Sequence, residues 1–69
     1  MAFNYSKLAG KIKEVFKTQA RFAAAMGMSE RSLSLKMNNE IAWKQPEMIK
    51  SAHVLGFPID EIHLYFFDA

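Results

Sequence analysis

Apolar residues recur along the chain at intervals of three and four, broken by isolated glycines and by short polar caps. From Lys7 to Phe16 the apolar stripe is Leu8, Ile12, Val15 and Phe16, with Lys7, Lys11, Lys13 and Glu14 left for water. That spacing puts one apolar face on an α-helix, with Ser6 as its N-cap and Gly10 as a slight weakness. Thr18 is a good N-cap for a second helix running from Gln19 to Met26, whose buried stripe is Phe22, Ala23 and Met26. Gly27 then supplies the positive-φ residue that commonly ends helices. Ser29 caps a third helix to about Asn38, with Leu33 and Met37 facing inward one turn apart.

Asn38, Asn39 and Glu40 form a turn, after which Ile41 and Trp43 are expected to pack back on the core. A fourth helix begins near Lys44 or Gln45, where Pro46 is tolerated in the first turn and Glu47 is favourable beside the positive helix end. Its stripe is Met48 or Ile49, Ala52 and Leu55, and Gly56 ends it. Phe57 and Pro58 lead into a short last helix from Ile59, with Asp60 and Glu61 in its first turn. β-Branched residues are scattered and no hairpin dipeptide separates alternating runs, so strands are not expected. The pattern predicts an all-α, compact five-helix bundle, one domain over residues 1–69.

Composition narrows how such a bundle can be held. A chain of 69 residues with no cysteine has neither disulfides nor thiolate metal sites to support it. The core must come from packing, and 51% hydrophobic residues with six Phe, two Tyr and one Trp are enough for it. Lysines interrupt MAFNYSKLAGKIKEVF, which reads as neither a signal peptide nor a membrane span; a cytoplasmic location is expected. Charge is uneven although the net value is only +2. Met1 to Gln45 holds eight Lys/Arg against three Asp/Glu, whereas Pro46 to Ala69 holds one against four. A basic portion joined to an acidic one fits either a polyanion partner or a solvated surface.

The second and third helices are separated by only Gly27, Met28 and Ser29, and a turn that short forces them to cross steeply as a helix-turn-helix over about residues 19–38. Ala23 is small where the helices approach, Met28 plugs the angle and Leu33 anchors the second helix. Ala23, Gly27 and Leu33 at this spacing, with Gln19 at the helix start, resemble the signature of the phage Cro and repressor proteins and their xenobiotic-response-element relatives. The resemblance extends through NNEIAWKQPE and LGFPIDEI to nearly the whole chain, and is greatest to small Cro-like proteins of temperate phages of Gram-positive bacteria.

The resemblance implies a lambda-repressor-like DNA-binding domain whose second motif helix enters the major groove of operator DNA. Carried over by position, Ser29, Glu30, Arg31, Ser34 and Leu35 face the bases. Arg31 can donate to guanine, Glu30 can accept from cytosine, and Leu35 either meets a thymine methyl or lies partly exposed. Gln19, Arg21, Ser32, Lys36, Trp43, Lys44 and Gln45 frame that helix as phosphate contacts. Trp43 also reads as a core plug, and Lys7, Lys11 and Lys13 as an ordinary exposed face.

The two histidines, His53 and His63, lie on different helices without cysteine, so neither metal nor other cofactor is expected, and no nucleophile-base set gives an enzyme a foothold. The last helix carries more apolar residues than one stripe can bury. Tyr65, Phe66 and Phe67 either form a self-association surface, in keeping with the homodimers typical of the family, or close the bottom of the core. The leading expectation is a sequence-specific transcriptional repressor that occludes an operator. The rival is a protein-interaction module of the same fold that modulates a partner repressor, and Glu30 at the groove mouth keeps it open, since a carboxylate there repels phosphate.

Overall fold

The computed structural model describes residues 3–68. Five α-helices follow in order, α1 (Ser6–Phe16), α2 (Gln19–Met26), α3 (Glu30–Met37), α4 (Gln45–Leu55) and α5 (Ile62–Phe66), with one 3-10 turn, Ile59–Glu61, leading into α5. No strand occurs among the described residues, and the fold is the expected all-α bundle. Two of the caps are those the sequence pointed to. Thr18 Oγ1 accepts from the Arg21 N–H at 3.2 Å, and Ser29 Oγ accepts from the Ser32 N–H at 3.0 Å. Ser6 is not a cap but the first helical residue. Tyr5 stands at the cap position without a side-chain bond, and the Ser6 N–H is accepted instead by Asn4 Oδ1 at 2.8 Å in an Asx turn.

Three helices end in one way. The N–H groups of Met28, Glu40 and Phe57 reach back five residues to the carbonyls of Ala23, Leu35 and Ala52, at 3.0, 2.9 and 3.1 Å. Each bond wraps a residue in the left-handed region, Gly27 at φ 71°, Asn39 at 64° and Gly56 at 79°. These are the positions where the sequence placed its breaks, since only glycine and, less readily, asparagine hold that conformation at low cost.

The core gathers Leu8 and Ile12 of α1, Phe22, Ala23 and Met26 of α2, Leu33 of α3, Ala52 and Leu55 of α4, and Tyr65 and Phe66 of α5, with Tyr5, Trp43 and Phe57 from the connections. Two expected core residues lie outside it. Val15 is 42% exposed because Phe16 takes the position in that last turn, its ring 5.6 Å from Phe22. Ile41 is also 42% exposed, since Trp43 alone fills the space above Phe66, the two rings 4.9 Å apart.

Helix α1 lies against α2, α4 and α5, and α4 against α2 and α5, whereas α3 packs principally on α2. A second tether holds α3. Its Lys36, only 5% exposed, sends its ammonium to Glu47 Oε1 of α4 at 3.0 Å and to the Ala42 carbonyl at 3.3 Å. The same carboxylate oxygen accepts the Lys44 N–H at 2.8 Å, so one acid caps α4 and neutralises α3. Burial pushes the Glu47 carboxyl up, but the Lys44 N–H and the Lys36 ammonium outweigh it and hold the group below its ordinary value of 4.5.

A carboxyl lowered by folding contributes stability above its unfolded value and loses it as pH falls through the folded one. The urea midpoint is therefore expected to fall from about pH 5 downward, and to fall less in the double variant Lys36→Met, Glu47→Gln. Glu47→Ala alone, which leaves the ammonium uncompensated, should cost about 2 kcal/mol at neutral pH in chemical denaturation. Gly27→Ala puts a Cβ where φ is 71° and the nearest atom outside the turn is Lys50 Nζ at 3.7 Å. Its cost is thus backbone strain rather than a clash, about 1 kcal/mol by the same measurement.

Candidate functional site

The α2–α3 pair is braced as the sequence suggested. Ala23 is 2% exposed and Leu33 fully buried, so the two helices close on each other, while Met28 at the bend packs half-buried against the core. What this brace presents is the outward face of α3. Glu30 and Arg31 are exposed, and Ser32, Ser34 and Leu35 are half-buried. Neither Glu30 nor Arg31 joins an ion pair among the described residues. Ser29 is exposed, but its hydroxyl is engaged, capping α3 and donating to Ser32 Oγ at 3.0 Å. The free chemistry of the face is therefore one acid, one guanidinium, the Ser34 hydroxyl and the edge of Leu35.

The expected phosphate contacts are only partly available. Gln19, Arg21, Lys44 and Gln45 are exposed, but Lys36 is turned inward onto Glu47 and Ala42. It is unavailable to an external anion because leaving Glu47 would strand both charges in a poorly solvated place. Trp43 is 6% exposed and stacks edge-on to Phe66, with the Lys36 ammonium 5.9 Å from its ring, so it is a core plug and not a surface contact. Ser32 lends its N–H and hydroxyl to Ser29.

The aromatic end needs a similar correction. Tyr65 is 6% and Phe66 1% exposed, so both close the core instead of forming a self-association surface. Tyr65 stacks on Phe57 at 3.9 Å with the rings 20° apart, and Phe66 carries Trp43. Only Phe67 stays outside, at 51% exposure, with the Phe3 ring edge-on to it at 5.7 Å. Phe3 escaped the sequence reading because its position depends on a distant partner: its N–H and carbonyl bond both ends of the Asn39 side-chain amide, at 3.0 and 2.9 Å. Nothing local in the sequence signals a pairing 36 residues apart.

Among the described residues no three His, Cys, Asp or Glu side chains come together as a metal site, and no helix is long and apolar enough to cross a membrane.

Among solved structures, the chain is similar to the modulator of repression (MOR) of the temperate bacteriophage TP901-1 from Lactococcus lactis. The two are 49% identical over 97% of this chain and 90% of the other, with a TM-score of 0.84. No curated protein matches the chain. This likeness overturns the leading expectation, an operator-reading repressor, because the similar protein is named for modulating repression rather than for exerting it. The geometry accords with that correction: with Lys36 and Trp43 withdrawn into the fold, the clamp that would seat α3 on a phosphate backbone is incomplete. The family model that matches spans residues 1–69, and the chain belongs to that family, described as "Protein of unknown function (DUF739)".

Proposed function

We propose that this chain modulates a partner repressor of a temperate phage by direct protein contact. The observation that carries the reading is the 49% identity to the modulator of repression of bacteriophage TP901-1, sustained over 97% of the chain. Identity at that level across a whole small domain preserves core and surface together, and surface is what a partner meets.

The chemistry of the exposed faces supports the same reading. On α3, Glu30 and Arg31 stand side by side and exposed. Against phosphate a carboxylate is repelled; against a protein it finds lysine or arginine, and the neighbouring guanidinium finds an acid. Leu35, half-buried on the same helix, adds the apolar contact that protein interfaces use at their centres. The role is regulatory and non-enzymatic, carried out where repressor and operator meet, and requires no cofactor.

Calorimetric titration of the purified repressor from the same phage into this chain should give a saturable complex of fixed stoichiometry. The chain alone, added to nonspecific duplex, should show little affinity at any salt concentration. A duplex affinity that falls steeply as salt rises, with no complex with the repressor, would overturn the proposal, because that slope counts displaced phosphate counterions.

A further inference from the structure

We infer that the partner seats an amphipathic helix, apolar along one stripe and flanked by lysine or arginine, in a trough between the α3–α4 connection, α4 and Phe67; this rests on the partner-repressor reading. Two adjoining clefts make the trough, one of about 290 Å³ reaching Phe3 and Ile41, the other of about 430 Å³ reaching Ile49 and Ile59. Trp43, Met48 and Phe67 line both. Four of the six large exposed apolar residues, Phe3, Ile41, Ile59 and Phe67, stand on this one feature, at 36 to 51% exposure. Scattered surface apolar residues need no explanation, whereas a gathered set with a concave floor marks a contact surface. At its floor Trp43 is 6% exposed, and its indole N–H is buried without a hydrogen-bond partner.

The rim selects the occupant. Glu40 precedes Ile41, Asp60 follows Ile59 and Asp68 follows Phe67; all three are exposed, and none joins an ion pair among the described residues. Exposed Lys44 likewise follows Trp43, and exposed Lys50 follows Ile49, though its ammonium lies beside Gly27. Exposed acids thus outnumber lysines beside the lining residues, on a chain whose net charge is +2. A second copy of this chain is a poor fit, because at a twofold interface the same patch faces itself and would set these acids against their own kind. An extended segment is a poor fit too, since among the described residues no strand offers its backbone an edge to pair with. A helix satisfies its own backbone, lays apolar residues at i, i+3, i+4 and i+7 into the trough, and carries flanking cations to the rim.

The test measures repressor affinity of the full chain in four forms. Ile59→Ser with Phe67→Ser replaces two half-exposed residues, and circular dichroism should show its helices intact. It is expected to weaken binding roughly tenfold or more, as truncation of anchors does. Asp60→Lys with Asp68→Lys should weaken binding too and flatten its salt dependence, while Lys13→Ala, on the exposed face of α1, should stay within about twofold of the parent. In the parent, adding repressor should shift the single tryptophan indole N–H resonance. If the parent binds and both trough variants match it, or if the indole resonance stays fixed, the trough is not the site, although the partner-repressor reading stands. If the parent does not bind, that reading fails and the inference with it. Trough variants that alter sedimentation as a self-associating species but leave repressor affinity unchanged would assign the trough to a second copy and overturn the inference.

Discussion

The contact between Lys36 and Glu47 is the constraint on which both exposed faces depend. Helix α3 shares its main packing surface with α2 only, and a two-turn helix held on one side can pivot about its apolar contact. The ammonium at 3.0 Å from the carboxylate gives α3 a second fixed point, on α4. The same carboxylate bonds the Lys44 N–H, and the same ammonium bonds the Ala42 carbonyl, so the connection bearing Ile41 and Trp43 is clamped by this pair. A buried ion pair is weak evidence for stability, since desolvation offsets most of the attraction. Here its effect is geometric: it determines which way α3 faces and where one wall of the trough stands.

That pair explains why the fold was more legible than the site. Helix ends are local, and Gly27, Asn39 and Gly56 declare them through backbone preferences that a reader of sequence can use directly. The stripes Phe22, Ala23, Met26 and Ala52, Leu55 likewise follow from helical spacing alone. Site residues are a question of which way a side chain turns, and a lysine has reach enough to turn either way. Lys36 stands on α3 where an exposed phosphate contact is natural, and only the arrival of Glu47, eleven positions later on another helix, draws it inward. Tyr65, Phe66 and Phe67 posed the same problem, since three consecutive aromatics cannot share one face. Two are taken by Phe57 and Trp43, and the third is left for Phe3.

A pair of short helices set at a steep angle is a way of presenting one helix rigidly, and it does not by itself choose between nucleic acid and protein. The choice lies in the surrounding charges. A helix reading DNA needs cations on either side to hold the phosphates that fix its register. This chain has Arg21 and Lys44 exposed near α3 but has committed Lys36 elsewhere, and it puts Glu30 at the helix start. Its positive net charge is therefore not concentrated where the motif could use it. Of the acids of the last third, Glu47 is taken by Lys36, while Asp60 and Asp68 stand next to Ile59 and Phe67 in sequence, so the molecule has two faces of different character, a mixed polar one on α3 and an apolar one at the trough.

Trp43 joins the fold to that second face. An indole N–H buried without a partner costs on the order of 1–3 kcal/mol. A leucine or phenylalanine would avoid the cost, so the ring's benefit must lie in its size and its faces. It meets Phe66 edge-on at 4.9 Å and lies 5.9 Å from the Lys36 ammonium, a contact that stabilises a cation drawn out of water. The indole therefore lies against the ion pair while also lining both clefts. One residue carries the clamp on α3 and the floor of the trough, which is why the two faces are mechanically joined despite their different chemistry.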